Sequence, residues 1–150
     1  MKRFHFPLRP VGVLRAHREL RAREIFAAAV HTYVQAEERL AAARARVAGL
    51  EQVLFAGRSG RFLAADAAGL YRVYRSECSA AMETEREVIQ ARDLMHRRRD
   101  EYIEANRQLK VVDRLEEKAR VKHRAENART EQNELDEFAG INAHRRTTLS

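Results

Sequence analysis

Apolar residues recur at every seventh position along the second half of the chain. The series begins at Tyr74 and continues without a slip through Ala81, Val88, Met95, Tyr102 and Leu109. The stretch from Leu70 to Ala139 contains neither glycine nor proline, the residues that most disfavour a helix interior. A sustained seven-residue apolar period is typical of a helix packed along another helix in a left-handed coiled coil. The pattern predicts one long helix over about residues 64–139, and its 70–139 segment would span roughly 105 Å.

A second apolar stripe, in alternating steps of three and four residues, predicts an earlier helix over residues 11–54. Its seam consists of Tyr33, Ala36, Leu40, Ala43, Val47, Leu50 and Leu54. Towards the N-terminus the stripe is expected to continue, one residue out of phase, through Val13, Leu20, Ala27 and Val30. Pro7 and Pro10 disfavour helix before residue 11, so residues 1–10 are predicted to form an extended arm. Residues 140–150 are predicted to form a flexible tail.

A break near residues 55–63, which contains Gly57, Ser59 and Gly60, separates the two predicted helices. Two long helices joined by a short link predict an all-α fold, a long antiparallel two-helix coiled coil in the form of an α-hairpin. With Leu54 opposite roughly residue 68, Val13 falls opposite roughly residue 109, where the strict heptad of the second helix also ends. The same heptads would serve a dimer in which the helices pair between chains, so that alternative stays open.

Composition and charge agree with a helical protein that works through its surface. Charged residues make up 34% of the chain, and its net charge is +7. Glutamates interleave with the bases between Arg114 and Arg124, which is typical of a solvated helix face, and no aromatic residues alternate with those bases as they would in a nucleic-acid stacking platform. We therefore favour an acidic protein partner over a nucleic acid. The apolar runs are too short to cross a bilayer, and no secretory signal pattern appears, so a cytoplasmic location is expected.

The chain lacks the residue patterns of a catalytic or metal site. No two of its six histidines stand four residues apart, the spacing that places two ligands on one helical face. No glycine-rich phosphate loop or nucleophile elbow occurs, and Cys78 is interpreted as a small apolar filler beside the seam. We expect a protein that is not an enzyme and that binds no cofactor or metal.

Three segments, in order, resemble the FliJ family of flagellar type III export proteins. The first is Phe4 to Leu8 leading into Val13 to Arg15, and the second is Gln35 to Leu40. The third, Glu131 to Ala139, is similar to the family's C-terminal signature E-x-K-x-L-D-E-x-A, although Asn133 stands where a lysine is common. The resemblance covers nearly the whole chain.

This resemblance implies a small cytoplasmic component of the export apparatus, peripherally associated with the inner membrane through its partners. Members are antiparallel coiled coils similar to the two-helix part of the rotary ATPase gamma subunit. They associate with the hexameric export ATPase, contact the membrane export gate and handle export chaperones. By that analogy, the end bearing both termini enters the ATPase ring, and the candidate residues there are Arg15, Arg18, Lys118, Lys122, Glu131, Leu135, Asp136 and Phe138. The plainer interpretation of these residues is ordinary solvated helix surface.

A second candidate surface lies in the half of the hairpin near its turn. Aromatic residues there are natural anchors for a partner such as the export gate, and arginines on the outer side of the first helix would set charge complementarity. The candidates are Arg39, Arg46, Phe55, Phe62, Tyr71 and Tyr74. The aromatics could instead simply close the turn. The alternative functions are the stalk of a virulence-type secretion system and a basic coiled coil that binds nucleic acid or ribosomes.

Overall fold

The structure, a computed structural model, describes residues 3–58, 60 and 63–148, with side chains described through residue 144. It contains two helices, α1 (Arg9–Arg58) and α2 (Ala64–Thr148), and the described residues include no strand. The predicted all-α antiparallel helical hairpin is confirmed. No described helix has a segment that is long and apolar enough to cross a membrane.

The chain forms two units, each built from a segment of both helices. We call Leu20–Glu104 the turn unit, and Met1–Glu19 together with Ala105–Ser150 the terminal unit. In the turn unit, α1 buries its small seam residues Ala29, Ala36 and Ala43 together with Leu40. The α2 heptad from Tyr74 to Tyr102 is half-buried at every member. Alanines along one helix let the two helices approach closely, so the larger heptad residues of the other helix can fill the seam.

The terminal unit has a more polar seam. The Arg15 guanidinium donates a hydrogen bond to the side-chain oxygen of Gln108, and Glu19 is buried. Gly12 packs closely on Val112: a Cβ atom at Gly12 would lie 3.3 Å from Val112 Cγ1. The sequence-derived register places Gly12 opposite roughly residue 110, so the observed register agrees with it closely.

The N-terminal half of the α1 stripe was predicted in the wrong phase. Val13 is 68% exposed and Leu20 is 45% exposed, and Ala27 is also exposed, whereas Val30, the fourth member of the predicted stripe, is half-buried. In the terminal unit the inward positions are occupied by Gly12, Arg15 and Glu19. In the turn unit they are occupied by Ala22 and Phe26. An apolar stripe identifies the seam only where the seam is apolar, and of these inward residues Phe26 alone is a large apolar one.

Both helices extend beyond their predicted bounds. Helix α1 begins at Arg9, since proline is tolerated in the first turn and Pro10 can follow directly, and it ends at Arg58 instead of residue 54. Helix α2 continues through Gly140 to Thr148, where the sequence predicted a tail from residue 140. The Leu63 carbonyl accepts hydrogen bonds from the amides of Asp66 and Ala67, at 3.0 and 3.1 Å, and so starts α2.

Candidate functional site

The C-terminal segment of α2 presents an apolar patch surrounded by carboxylates. Every described side chain from residue 128 to residue 144 is exposed, including Leu135 at 66% and Phe138 at 70%. Together with Ile141 they line an open groove edged by Glu131, Glu134 and Glu137. Asp136 accepts a hydrogen bond from the Gln132 side chain at 3.0 Å. Contiguous exposed apolar side chains of this kind are often found at protein interaction sites.

The basic candidates elsewhere in the terminal unit differ in whether they already have partners within the chain. Arg18 and Lys118 are exposed, and Lys122 forms a loose ion pair with Glu126 at 3.8 Å. Arg15 is half-buried and already bonded to Gln108. All of the residues predicted for the ATPase-ring end lie in the terminal unit. Of the two arginines among them, Arg15 already uses its guanidinium in a hydrogen bond within the chain.

The N-terminal arm packs against α2 in the terminal unit. Phe6 is buried, and the Phe4 ring meets His123 edge-on with 5.4 Å between ring centroids. The Arg120 guanidinium lies 5.5 Å from the Phe4 ring centroid, a cation–π arrangement. The sequence predicted the arm but not its contacts, because periodicity locates a helix and carries no signal for what a preceding non-helical segment touches.

The turn end of the hairpin forms an open cleft of about 400 Å³ between α1 and α2. Phe55 is 77% exposed and Tyr71 is also exposed, and both line this cleft together with Tyr74. The Tyr71 and Tyr74 rings meet edge-on, with 6.1 Å between centroids. The structure therefore gathers three of the predicted aromatics at one place, while Phe62 lies outside the described residues.

Tyr74 is held by a carboxylate across the hairpin. Its hydroxyl donates a hydrogen bond to Glu51 Oε1 at 2.9 Å. Because this bond favours the neutral phenol, it raises the pKa of Tyr74, and a contact with Cys78 acts in the same direction. Tyr33 donates similarly to Glu37, which raises the pKa of Tyr33. These bonds leave the phenols as hydrogen-bond donors at neutral pH.

The two arginines predicted for the tip half are engaged in ion pairs between the helices. Arg39 lies 3.6 Å from Glu87, and Arg46 lies 3.1 Å from Glu77. Both arginine side chains are more than half exposed, so each pair contributes at most about 1 kcal/mol to stability. A partner carboxylate could therefore exchange with Glu87 or Glu77 at small cost.

The described part of the chain brings together no group of three or more metal-ligating side chains. The structure has two exposed surfaces with large apolar side chains, one at the C-terminal segment of α2 and one at the turn. A sequence model of the family described as "Flagellar FliJ protein" matches residues 4–148. The chain belongs to the FliJ family. Comparison with curated proteins and comparison with solved structures gave no match.

Membership of the FliJ family makes this chain a component of the flagellar protein export apparatus, and the family is non-catalytic. The matched region includes the N-terminal arm from Phe4 onward, both helices and the Glu131 to Ala139 segment. It therefore covers both of the surfaces described above.

Proposed function

We propose that this FliJ-family chain is a non-enzymatic stalk within the hexameric export ATPase ring. In that role it couples the ring to the membrane export gate, handles export chaperones, and is held at the inner membrane only through these partners. The observation that carries the proposal is the segment of α2 after residue 127, which is helical with every described side chain exposed through residue 144. An isolated helix with an apolar patch gains stability when a partner covers that patch.

The chemistry of this segment suits a ring with a partly basic lining. Leu135 and Phe138 supply the apolar contact, while Glu131 and Asp136 supply negative charge around it. Arg18, Lys118 and Lys122 add positive charge elsewhere on the terminal unit, so the same unit can meet alternating charges. Charge arranged around an apolar centre gives specificity and speeds association.

The turn end is the proposed contact with the export gate. Phe55 and Tyr71 are exposed aromatics beside a cleft, the kind of side chain that most often anchors a protein interface. Arg39 and Arg46 are paired only through exposed ion pairs, which a partner carboxylate can replace. The two ends of the hairpin would then serve different partners.

Co-purification of the tagged full chain with the export ATPase from the same cell tests the stalk directly. We expect a stable substoichiometric complex that promotes ring assembly and raises the ATPase rate. Removal of residues 131–150 should abolish the complex, and Leu135→Glu with Phe138→Glu should weaken it at least about tenfold. Ile141→Ala, a milder change in the same patch, should weaken it less.

The stability of the truncated chain is the control for this experiment. Because residues 131–144 are exposed, truncation after Thr130 should change the unfolding free energy of the remaining chain by no more than about 0.5 kcal/mol. A truncated chain that folds normally and still binds the ATPase would contradict the proposed site. Absence of any complex with the full chain at low and high salt, with nucleic acid carried through purification, would favour the basic coiled-coil alternative.

A further inference from the structure

Helix α1 carries an exposed row of apolar residues outside its seam. Each member follows directly after a seam residue in the series Phe26, Tyr33, Leu40, Val47 and Leu54. The row within the turn unit is Ala27, Val34, Ala41, Ala48 and Phe55, and every member is exposed. A two-helix coiled coil needs no apolar residue at these outer positions, which normally face water.

Helix α2 carries a matching row in the same unit. The residues that follow directly after its heptad positions from Tyr74 to Tyr102 are Arg75, Met82, Ile89, His96 and Ile103. Met82 is 59% exposed, Ile89 45% and Ile103 42%. Both helices therefore display large apolar side chains one position past the seam.

The two rows lie on the same side of the turn unit. Arg44 and Glu85 each stand four positions after a seam residue, Leu40 on α1 and Ala81 on α2, and they meet at 3.2 Å. Positions one and four past a seam residue are neighbours on a helical wheel, about 60° apart. The side marked by the Arg44–Glu85 pair is therefore the side on which both rows lie, and we call it the apolar face.

The opposite side of the turn unit is different in character. There, Arg39 and Glu87 each stand one position before a seam residue and meet at 3.6 Å. The outer α2 positions on that side are all charged or polar: Ser76, Glu83, Gln90, Arg97 and Glu104. Exposed apolar residues on that side, such as Val53 and Val73, stand one position before the seam, so the apolar row of outer α2 positions belongs to the first face alone.

Arginines outnumber carboxylates on the apolar face, although the two carboxylates that accept from neutral phenols keep their negative charge. Its three carboxylates each accept a hydrogen bond from a neighbouring side chain: Glu37 from Tyr33, Glu51 from Tyr74 and Glu85 from Arg44. Arg75 lies in the apolar row itself, one heptad before Met82, and Arg99 stands four positions before Ile103. Neither arginine has a partner among the described residues. The apolar face therefore carries two arginines without partners, Arg75 before Met82 and Arg99 after Ile89, beside its apolar rows.

We propose that the apolar face binds an acidic amphipathic helix of a partner protein, which lies along α1 and α2 as a third helix. A helix fits because two parallel apolar rows that flank a shallow groove bury one apolar stripe of a third helix. An acidic helix fits because its flanking carboxylates reach Arg75 and Arg99, whereas a second copy of this chain would bring like charges together. The proposal does not depend on entry of the chain into the ATPase ring.

A labelled synthetic helix tests the proposal with the full chain. The probe is a fluorescein-labelled peptide of three heptads with leucine at its seam positions, glutamate at the flanking positions and alanine elsewhere. Its own carboxylates disfavour self-pairing at neutral pH. The comparison peptide has lysine in place of each glutamate. By fluorescence anisotropy at about 0.05 M salt, where charge effects are large, we expect the acidic peptide to bind at least about tenfold more tightly than the lysine peptide.

Variants of the chain locate the binding site. Arg75→Glu with Arg99→Glu should weaken the acidic peptide at least about tenfold. The matched control is Arg72→Glu with Arg97→Glu, which makes the same charge change at exposed positions off the apolar face and should have little effect. Met82→Glu should also abolish binding, while Val73→Glu, on the opposite side, should not. Circular dichroism confirms folding, and the arginine pair decides the question if Met82→Glu does not fold.

Several outcomes would overturn the proposal. Equal binding of the acidic and lysine peptides would mean that the apolar rows bind amphipathic helices regardless of the charge of the helix. Equal loss in the control arginine pair would mean that net charge alone drives binding. Absence of binding by either peptide would mean that the apolar face binds no helix of this kind. A dimer in light scattering that Met82→Glu converts to a monomer would mean that the face binds a second copy of this chain instead.

Discussion

At the scale of single residues, a few buried side chains carry the stability of the turn unit. Ala36 and Ala43 are nearly inaccessible and Leu40 lies between them. Burial of a leucine side chain contributes about 1.5–3 kcal/mol, while the exposed ion pairs beside it contribute at most about 1 kcal/mol each. The seam therefore matters more to folding than the many charges on the surface.

Leu40→Ala should lower the free energy of unfolding by about 2–4 kcal/mol, because it leaves a cavity between closely packed helices. Val34→Ala is the matched control, since Val34 stands one position past the seam and is exposed, and it should change stability by about 0.5 kcal/mol or less. Urea denaturation followed by circular dichroism measures both. Equal effects of the two variants would show that the seam has been misidentified.

The Tyr74 phenol should make the stability of the turn unit depend on pH in the alkaline range. Its pKa is raised above the ordinary value of 10.0 by the hydrogen bond to Glu51. The folded state therefore holds this proton more tightly than the unfolded chain does. The stabilisation is fully present below about pH 10 and is lost as pH rises through the folded-state pKa.

Unfolding measured between about pH 9 and pH 12 should show a smaller fall in stability for Tyr74→Phe than for the native chain. Glu51→Gln should reduce the fall in the same way, because it removes the carboxylate that favours the neutral phenol. Absorbance of the phenolate provides an independent readout of the titration. A fall that neither substitution alters would exclude the Tyr74–Glu51 pair as its source.

At the scale of the helices, two glycines allow the effect of helix propensity on stability to be separated from the effect of packing between the helices. A Cβ atom added at Gly49, within α1, would meet no atom of another segment within 4 Å, whereas one added at Gly12 would lie 3.3 Å from Val112 Cγ1. Neither glycine has a positive φ angle. Helix propensity is therefore the main issue at Gly49, and space is the main issue at Gly12.

Gly49→Ala should raise the free energy of unfolding by about 0.5–1 kcal/mol, because alanine loses less conformational entropy in a helix. Gly12→Leu should lower it by about 1–3 kcal/mol, because the larger side chain must displace Val112 or push the helices apart. Thermal and urea unfolding of the two variants measure the difference. A stabilised Gly12→Leu variant would contradict the close packing at Val112.

At the scale of the whole molecule, the hairpin buries the seams of both helices within a single chain. In the turn unit α1 and α2 meet through contacts such as the stacking of Phe26 on Tyr102, with 6.0 Å between ring centroids. In the terminal unit they meet through Arg15 and Gln108. The intermolecular pairing that the heptads alone left open is therefore not needed to bury either seam.

The purified chain should accordingly have the mass of a monomer, 17.3 kDa, in light scattering. Its unfolding midpoint should not change with protein concentration, because no association is coupled to folding. A midpoint that rises with concentration would mean that the helices, or the apolar face, pair between chains. Repetition with Met82→Glu distinguishes these two cases, since that residue lies on the face and not in the seam.

Much of the fold followed from the sequence because helix periodicity is local. The Tyr74 to Leu109 heptad and the Tyr33 to Leu54 stripe located two helices and their register, since 3.6 residues per turn determines which side chains share a face. The family signature at Glu131 to Ala139 likewise required no coordinates. The candidate residues at the turn end and in the terminal unit were nominated from this information alone, and their roles stay predictions.

Only the tertiary structure decided which residues occupy the seam where the pattern is mixed. Val13 and Leu20 are apolar yet exposed, while Arg15 and Glu19 lie inward. A polar side chain occupies such a position at low cost when it finds a hydrogen-bond partner there, as Arg15 finds Gln108 on the opposite helix. That information resides in the pairing of distant segments. For the same reason, the apolar face could not be recognised until the true seam had been separated from the row beside it.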